Sequence, residues 1–315
     1  MPLPRFVSLL TTLTLALLLT VPAAAQDRPQ RITIAGSDTM NLLSQRLAEE
    51  YMARGANVEI SVRGGGSGVG IRAIIDGTAD ICQSSRAMRE AEFDRARENG
   101  HNPQQHVVGL DGLAIGVSKD NPVDSLTLGQ VRAIFTGAIR TWNEIDPSLP
   151  RRNIVLYGRE SNSGTYDYFK EYVLEGWDFA SNTNYMAATA QVANATARER
   201  YGIGFGGVTY FAYADGLKIL KIQRDRESPA VSPVVEGTRE INFADIQDET
   251  YPIARPLRYY TPDAPSGAIR EFLDWVMSPA GQQVVMDVGY IPVLDVAELE
   301  QVVAEQPAAS PGEAK

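Results

Sequence analysis

The stretch Ile154-Val155-Leu156-Tyr157-Gly158-Arg159-Glu160-Ser161-Asn162-Ser163-Gly164-Thr165 decides the fold class. Its first four residues form a short apolar run that reads as a strand. A helical pattern follows and ends near Leu174. The segment between is a strand-to-helix turn. It carries a bidentate cation, Arg159, two hydroxyls, Ser163 and Thr165, and Gly164, which lets the backbone approach a ligand closely. A helix start presents unpaired N–H groups and a partial positive charge, so such a turn outlines an anion site. A plainer reading fits the same residues: Ser163 caps its helix and Arg159 pairs with a surface carboxylate.

Two earlier turns have the same form. Arg31 to Ala35 alternates as a strand, Gly36-Ser37-Asp38-Thr39 turns, and Leu43, Leu47 and Tyr51 recur at helical spacing. Here Ser37 or Asp38 also serves as an ordinary N-cap. Val58 to Val62 is a second strand, followed by Arg63-Gly64-Gly65-Gly66-Ser67-Gly68-Val69-Gly70 and a helical run through Ile71, Ile74 and Ile75. The glycine loop fits neither a Gly-x-Gly-x-x-Gly register nor a Walker loop. It remains a turn of bare N–H groups with Ser67 as an added donor. Asp80 to Gln83 is a third strand ending in Ser84-Ser85-Arg86. Val107-Val108 and Leu113 to Val117 read as two further strands separated by Asp111-Gly112, and their apolar character suggests buried parallel pairing. Helices are expected at Glu90 to Asn99, Leu126 to Phe135, Gln191 to Arg200, Gly267 to Met277 and Ala280 to Val288, with a strand at Ile253 to Tyr260. Strands alternating with helices mean an α/β fold, and ligands in such sheets sit at the carboxyl ends of the strands, where all three turns fall.

Composition narrows the partners. The chain has 315 residues, 44% hydrophobic and 22% charged, with a net charge of −10. Arg5, Phe6 to Thr20 and Pro22-Ala23-Ala24-Ala25 read as a secretory signal cleaved after Ala25. No cysteine lies near that site, so no lipid anchor is expected. Without Arg5 the 29 basic residues become 28 against 39 acidic, a net charge of −11. That balance argues against nucleic acid and anionic membranes as partners, but not against a small anion held by local donors. Cys82 is a lone cysteine in an apolar strand and reads as a packing residue. With only His101 and His106 besides, no metal site and no cofactor are expected. Residues 301–315, with Pro307 and Pro311, read as a disordered tail.

Five motifs in order carry a family resemblance. They are Gly36-Ser37-Asp38-Thr39; Gly66-Ser67-Gly68 with Gly77-Thr78-Ala79-Asp80 and Ser84-Ser85-Arg86; Ile134-Phe135-Thr136-Gly137 with Trp142; Arg159 with Ser163-Gly164-Thr165; and Gly202-Ile203-Gly204. From about Arg31 to Val293 the chain resembles the periplasmic phosphate-binding proteins of phosphate-specific ABC transporters. The resemblance implies a type II periplasmic-binding-protein fold, with two α/β lobes joined by two crossing strands and an anion sealed between them. Lobe one would be 26–109 plus 256–300 and lobe two 112–253, with crossings near Leu110-Asp111 and Ala254-Arg255. It implies a monomeric, non-enzymatic, periplasmic receptor that hands inorganic phosphate to a membrane permease. The implied phosphate contacts are Ser37, Asp38, Thr39, Ser67, Gly68, Ser85, Arg86, Arg159, Ser163, Gly164 and Thr165.

One departure matters. The best-described members carry an aspartate, which accepts the proton of hydrogen phosphate, where this chain has Ser85. Asp38 is then expected to supply the carboxylate, as proton acceptor or as the partner of Arg86. An oxyanion sensor on the same scaffold and an exported phosphatase are the rival readings. The phosphatase needs a nucleophile with a base, or metal ligands, and both histidines lie outside every motif.

Overall fold

The structure, a computed structural model, describes residues 28–296 and Leu299. The expected export signal and the 301–315 tail lie outside the described residues. In chain order, β1 (Gln30–Gly36) leads through a short turn into α1 (Asn41–Ala53), and β2 (Val58–Arg63) into α2 (Ser67–Ile75). β3 (Ile81–Ser84) precedes α3 (Glu90–Glu98), β4 (Gln104–Ser118), β5 (Ser125–Thr127) and α4 (Leu128–Phe135). β6 (Val155–Arg159) runs into α5 (Gly164–Tyr168), which widens into a π-helical turn over Phe169–Val173. β7 (Asn184–Met186), α6 (Thr189–Arg198), β8 (Gly202–Gly207) and α7 (Val208–Ala212) follow. The short β9 (Leu217–Ile219), β10 (Lys221–Gln223) and α8 (Phe243–Gln247) lead to β11 (Ala254–Thr261), α9 (Gly267–Val276) and α10 (Pro279–Asp287).

Local chemistry sets several of these boundaries. Thr127 and Gln130 form a reciprocal capping box, with Gln130 N donating to Thr127 Oγ1 at 3.1 Å and Thr127 N to Gln130 Oε1 at 2.9 Å. That box makes Leu128, rather than Leu126, the first residue of α4. α10 begins with Pro279 at its first position behind the Ser278 cap. On α1, Leu43, Leu47 and Tyr51 are buried, as their spacing requires.

Among the described residues nine strands form one sheet. Its main path runs β2-β1-β3-β11-β4-β8-β6-β7, and β9 pairs with β4 off that path. Pairing is parallel at β1–β2, β1–β3, β6–β7 and β6–β8. It is antiparallel where β4 and β11 sit in the middle. The first half of β4 pairs with β11, from Gln104↔Thr261 to Gly112↔Ala254. Its second half pairs with β8, from Leu113↔Gly207 to Val117↔Ile203. The apolar side chains divide at the same point. One core gathers Leu113, Phe135, Trp142, Phe169, Phe205 and Ile253. Two adjoining clusters on the other side gather Ile34, Leu43, Tyr259, Phe272 and Tyr290, and Ile71, Ile74, Cys82 and Tyr260. The chain passes this waist once more, where Leu110 and Ile291 exchange backbone hydrogen bonds of 2.7 and 3.0 Å.

Two sequence expectations fail at the waist. Asp111-Gly112 does not interrupt the chain between separate strands; β4 runs unbroken for 15 residues. Asp-Gly is a turn signal only when the aspartate can face water, and Asp111 is instead fully buried against Arg255. Gly112 is there for closeness, since a Cβ on it would meet Ile246 Cδ1 at 2.8 Å. The pairing is also antiparallel rather than parallel. An uninterrupted apolar run reports that both faces of a strand are covered, not which way its neighbours run.

The core around β8 is a stack of aromatic rings. Phe169 lies 3.8 Å from Phe205 at 12°, and Phe135 meets Phe205 edge-on at 5.3 Å. Phe135→Ala is expected to lower the unfolding free energy by about 3–5 kcal/mol. Urea unfolding of the two proteins measures it, and a loss below about 1 kcal/mol would show that the neighbouring rings collapse into the gap.

Candidate functional site

The turns after β1, β2, β3 and β6 meet at the waist. Gly36 has φ +138°, and a Cβ on it would lie 2.2 Å from the Gln83 carbonyl oxygen, so only glycine lets β1 end here beside β3. Ser37 precedes a helical turn, but its side chain makes no cap bond. Its hydroxyl donates to Ser85 Oγ at 2.9 Å. Ser67 Oγ accepts from Ser85 N at 3.1 Å and lies 3.3 Å from Ser85 Oγ. From the other side, Thr165 Oγ1 lies 3.0 Å from Thr39 Oγ1, and Thr189 Oγ1 lies 3.4 Å from it. All six side chains are buried. Hydroxyls from both halves of the molecule therefore converge on one region. Gly164 makes this approach possible: a Cβ there would stand 2.3 Å from Ser67 Oγ and 2.7 Å from Ser85 Oγ.

Arg159 is buried at the end of β6. It donates from Nη1 to Thr189 Oγ1 (2.6 Å) and from Nη2 to the Ala187 carbonyl (2.7 Å) and to Asp38 Oδ2 (2.9 Å). Its Nε has no hydrogen-bond partner among the described residues. Asp38 uses its other oxygen to accept from Gly65 N at 3.0 Å. Asp38 is thus neither a cap of its own helical turn nor a free carboxylate; it holds Arg159 from across the waist. Burial pushes the Arg159 pKa down and Asp38 opposes it, yet a guanidinium stays charged in proteins. Ser163 does cap α5, accepting from Thr165 N at 3.1 Å, as the plainer reading has it.

Sequence reasoning misses a second arginine, because it uses Arg255 only to place a strand crossing. Arg255 and Asp111 are cross-strand partners on β11 and β4, and both side chains are fully buried. Nε and Nη2 of Arg255 reach Asp111 Oδ2 at 3.1 and 2.7 Å, Nη2 also reaches Thr165 Oγ1 at 3.1 Å, and Nη1 reaches the Ser85 carbonyl at 3.3 Å. A signal is present in the sequence: one charge of each sign, Asp111 and Arg255, at the two expected crossings.

The site now has a buried arginine with a spare N–H, a second arginine behind it, and hydroxyls from two apposed halves. Comparison with known proteins places the chain. A model of the PBP superfamily domain matches residues 23–280. The phosphate-binding protein PstS of Pseudomonas aeruginosa is 33% identical over 277 residues, which cover 83% of each chain. The chain belongs to this family. Protein SphX of Synechococcus elongatus is 28% identical, over 83% of this chain and 77% of its own. An ABC-type phosphate transport receptor from Vibrio cholerae superposes with a TM-score of 0.65 at 24% identity, covering 82% of this chain and 99% of that one. The fold is the type II periplasmic-binding fold of these proteins, with two α/β lobes meeting at β4 and β11.

Within that family frame two expected contacts go elsewhere. Arg86 does not face the hydroxyls. Its Nη1 and Nη2 clasp Glu92 Oε2 and Oε1 at 2.7 Å each, Nη1 also donates to the Ala87 carbonyl, and Nε lies 2.8 Å from Asp167 Oδ2. It is not the partner of Asp38 either, because Glu92 lies one turn into the next helix and reaches it first. Gly68 spends its N–H on the Asn162 carbonyl at 3.1 Å. Both residues instead join the lobes. Asp167 on α5 takes Arg86 and also Arg89, at 2.9 Å, and Asn162 Nδ2 donates to the Gly65 carbonyl at 2.9 Å.

Gly164→Ala is expected to hold the lobes apart, since its methyl group would occupy the space of two hydroxyls. Small-angle scattering should show a larger radius of gyration, and an unchanged curve would mean that Ser67 and Ser85 give way. The Arg86 clasp carries a pH dependence. Burial alone would raise the Glu92 carboxyl, but hydrogen bonds from Arg86 and the Arg89 backbone hold it below the usual range. Its folded pKa is lower than its unfolded one, so its contribution is present above about pH 4.5 and fades as pH falls through the folded value. The melting temperature should fall on that acid side, and Glu92→Gln should flatten the slope.

Proposed function

We propose that this chain is the extracytoplasmic substrate-binding subunit of an ABC phosphate transporter, and that it takes inorganic phosphate where the hydroxyls converge. The observation that carries the reading is Arg159. A buried arginine with an unpartnered Nε, bonded to the Thr189 hydroxyl that lies beside Thr39 of the other half, suits a small oxyanion. Family membership names the oxyanion, since the related Pseudomonas aeruginosa protein is a phosphate-binding protein.

The proposed contacts are Ser37, Thr39, Ser67, Ser85, Gly164, Thr165 and Arg159, with Ser163 fixing the start of α5. Asp38 is the proposed discriminator. Inorganic phosphate keeps at least one proton at neutral pH, and sulfate keeps none. A carboxylate already anchored by Gly65 N and Arg159 accepts a hydrogen bond from the O–H of the first and repels the second. The units that close on the ligand are residues 26–109 with 256–300, and residues 112–253, turning about Leu110-Asp111 and Ala254-Arg255. Binding favours the apposed arrangement because only there do both sets of donors reach one anion. The receptor is then a monomer that is exported by residues 1–25 and docks on a membrane permease. Its chemistry is capture. Among the described residues the clustered hydroxyls bond one another, arginine and backbone, and none bonds a histidine.

Calorimetric titration of protein unfolded, dialysed and refolded tests the reading. Phosphate should bind and sulfate should give no heat. Arg159→Ala should weaken phosphate binding by about thirtyfold or more, because it also strands Asp38. Asp38→Asn should admit sulfate; an unchanged preference removes Asp38 from the discriminating role. Absence of phosphate binding by the refolded wild type would overturn the function itself.

A further inference from the structure

The pair between Asp111 and Arg255 lies at the strand crossing, and neither residue is among the contacts above. Several features separate it from a plain structural ion pair. Arg255 is gripped along one edge only. Asp111 Oδ2 takes Nε and one N–H of Nη2, while burial and the Val208 backbone N–H bear on the same carboxylate. The remaining edge is turned to the site. The other N–H of Nη2 is on Thr165 Oγ1, the hydroxyl that meets Thr39. Nη1 makes a single bond among the described residues, the 3.3 Å one to the Ser85 carbonyl, and so keeps an N–H to give. The ring of Tyr168 lies 5.6 Å from the guanidinium carbon, and the Tyr168 hydroxyl is tied to the Ala254 carbonyl at 2.6 Å. The fork is therefore fixed in plane and direction, with one edge spent and one directed between Ser85 and Thr165.

We propose that Arg255 is a second phosphate-contacting arginine, supplied by the hinge strand, and that Asp111 is the positioning residue that aims it. Ser85 belongs to one lobe and Thr165 to the other, so a phosphate between them lies within reach of a donor on the strand about which the lobes turn. With Arg159 balanced by Asp38 and Arg255 by Asp111, the site is neutral before the ligand arrives. Selection then rests on directed donors rather than on net positive charge at the site.

The inference rests on the phosphate reading, and the experiment separates the two. Phosphate titrations are run on the refolded mature chain as wild type, Arg255→Lys, Asp111→Asn and the double variant Asp111→Asn/Arg255→Met, each with its melting temperature recorded with and without phosphate. Arg255→Lys keeps the charge but loses the fork; it should fold and bind phosphate at least about tenfold more weakly. Asp111→Asn should weaken binding while Arg255 is still present, and its phosphate-induced rise in melting temperature should shrink. If the single variants do not fold, the double variant removes both charges together and leaves no buried charge unpaired. A tenfold loss in the double variant supports the contact. Wild-type affinity in Arg255→Lys or in the double variant, with only the melting temperature lowered, would overturn it and leave the pair purely structural. Failure of the wild type to bind phosphate would overturn the transport reading instead.

Discussion

A charge removed from water must find its opposite, and the arrangement of this molecule follows from where that happens. Asp111 and Arg255 are opposed residues on the two strands that cross between the lobes. Isolated, either charge would be costly to bury. Together they allow β4 to run straight through the waist, with apolar residues on both sides of it. The register that joins Asp111 to Arg255 also fixes where β3 and β8 attach: β3 leads to the turn that bears Ser85, and β8 carries β6, whose turn bears Thr165. The ion pair, the sheet path and the binding region are thus one constraint seen at three scales.

The sequence made much of this legible, and its failures share a cause. The turns at Gly36–Thr39, Gly66–Gly68 and Arg159–Thr165 can be read because strand-to-helix turns are local: apolar run, small or hydroxyl residues, then helical period. Buried Ser37, Thr39, Ser67, Ser85 and Thr165 all lie where that pattern puts them. Pairing over distance cannot be read this way. The turn signal of Asp111-Gly112 is cancelled by a residue 144 positions away in sequence. Arg86 reads as an anion contact because it follows a strand, yet its fork fits Glu92 six residues on. Parallel and antiparallel neighbours bury an apolar strand equally well, so hydrophobicity has no means to tell them apart.

Arg86 and Arg159 show how little separates two roles. Both stand at the end of a strand, both are buried, and both hold a carboxylate across the waist. Arg86 spends its fork on Glu92 and Asp167 and becomes a clasp between lobes. Arg159 spends Nη1 and Nη2 on Thr189, Ala187 and Asp38, and among the described residues no carboxylate stands beside its Nε as Asp167 does beside that of Arg86. The difference lies in the neighbours, since α3 brings a second carboxylate to Arg86 and none comes to Arg159 among the described residues.

The contacts that join the lobes are hydroxyl to hydroxyl, amide to carbonyl, and arginine to carboxylate. Each of these contacts is polar on both sides. Closure of this kind carries a small heat-capacity change, because that quantity tracks apolar area removed from water. The enthalpy of opening then stays nearly constant with temperature, so a van't Hoff plot of the equilibrium between open and closed lobes should be close to straight. That equilibrium answers chiefly to ionic strength, which screens the partly exposed pairs at the rim more than the buried ones beneath.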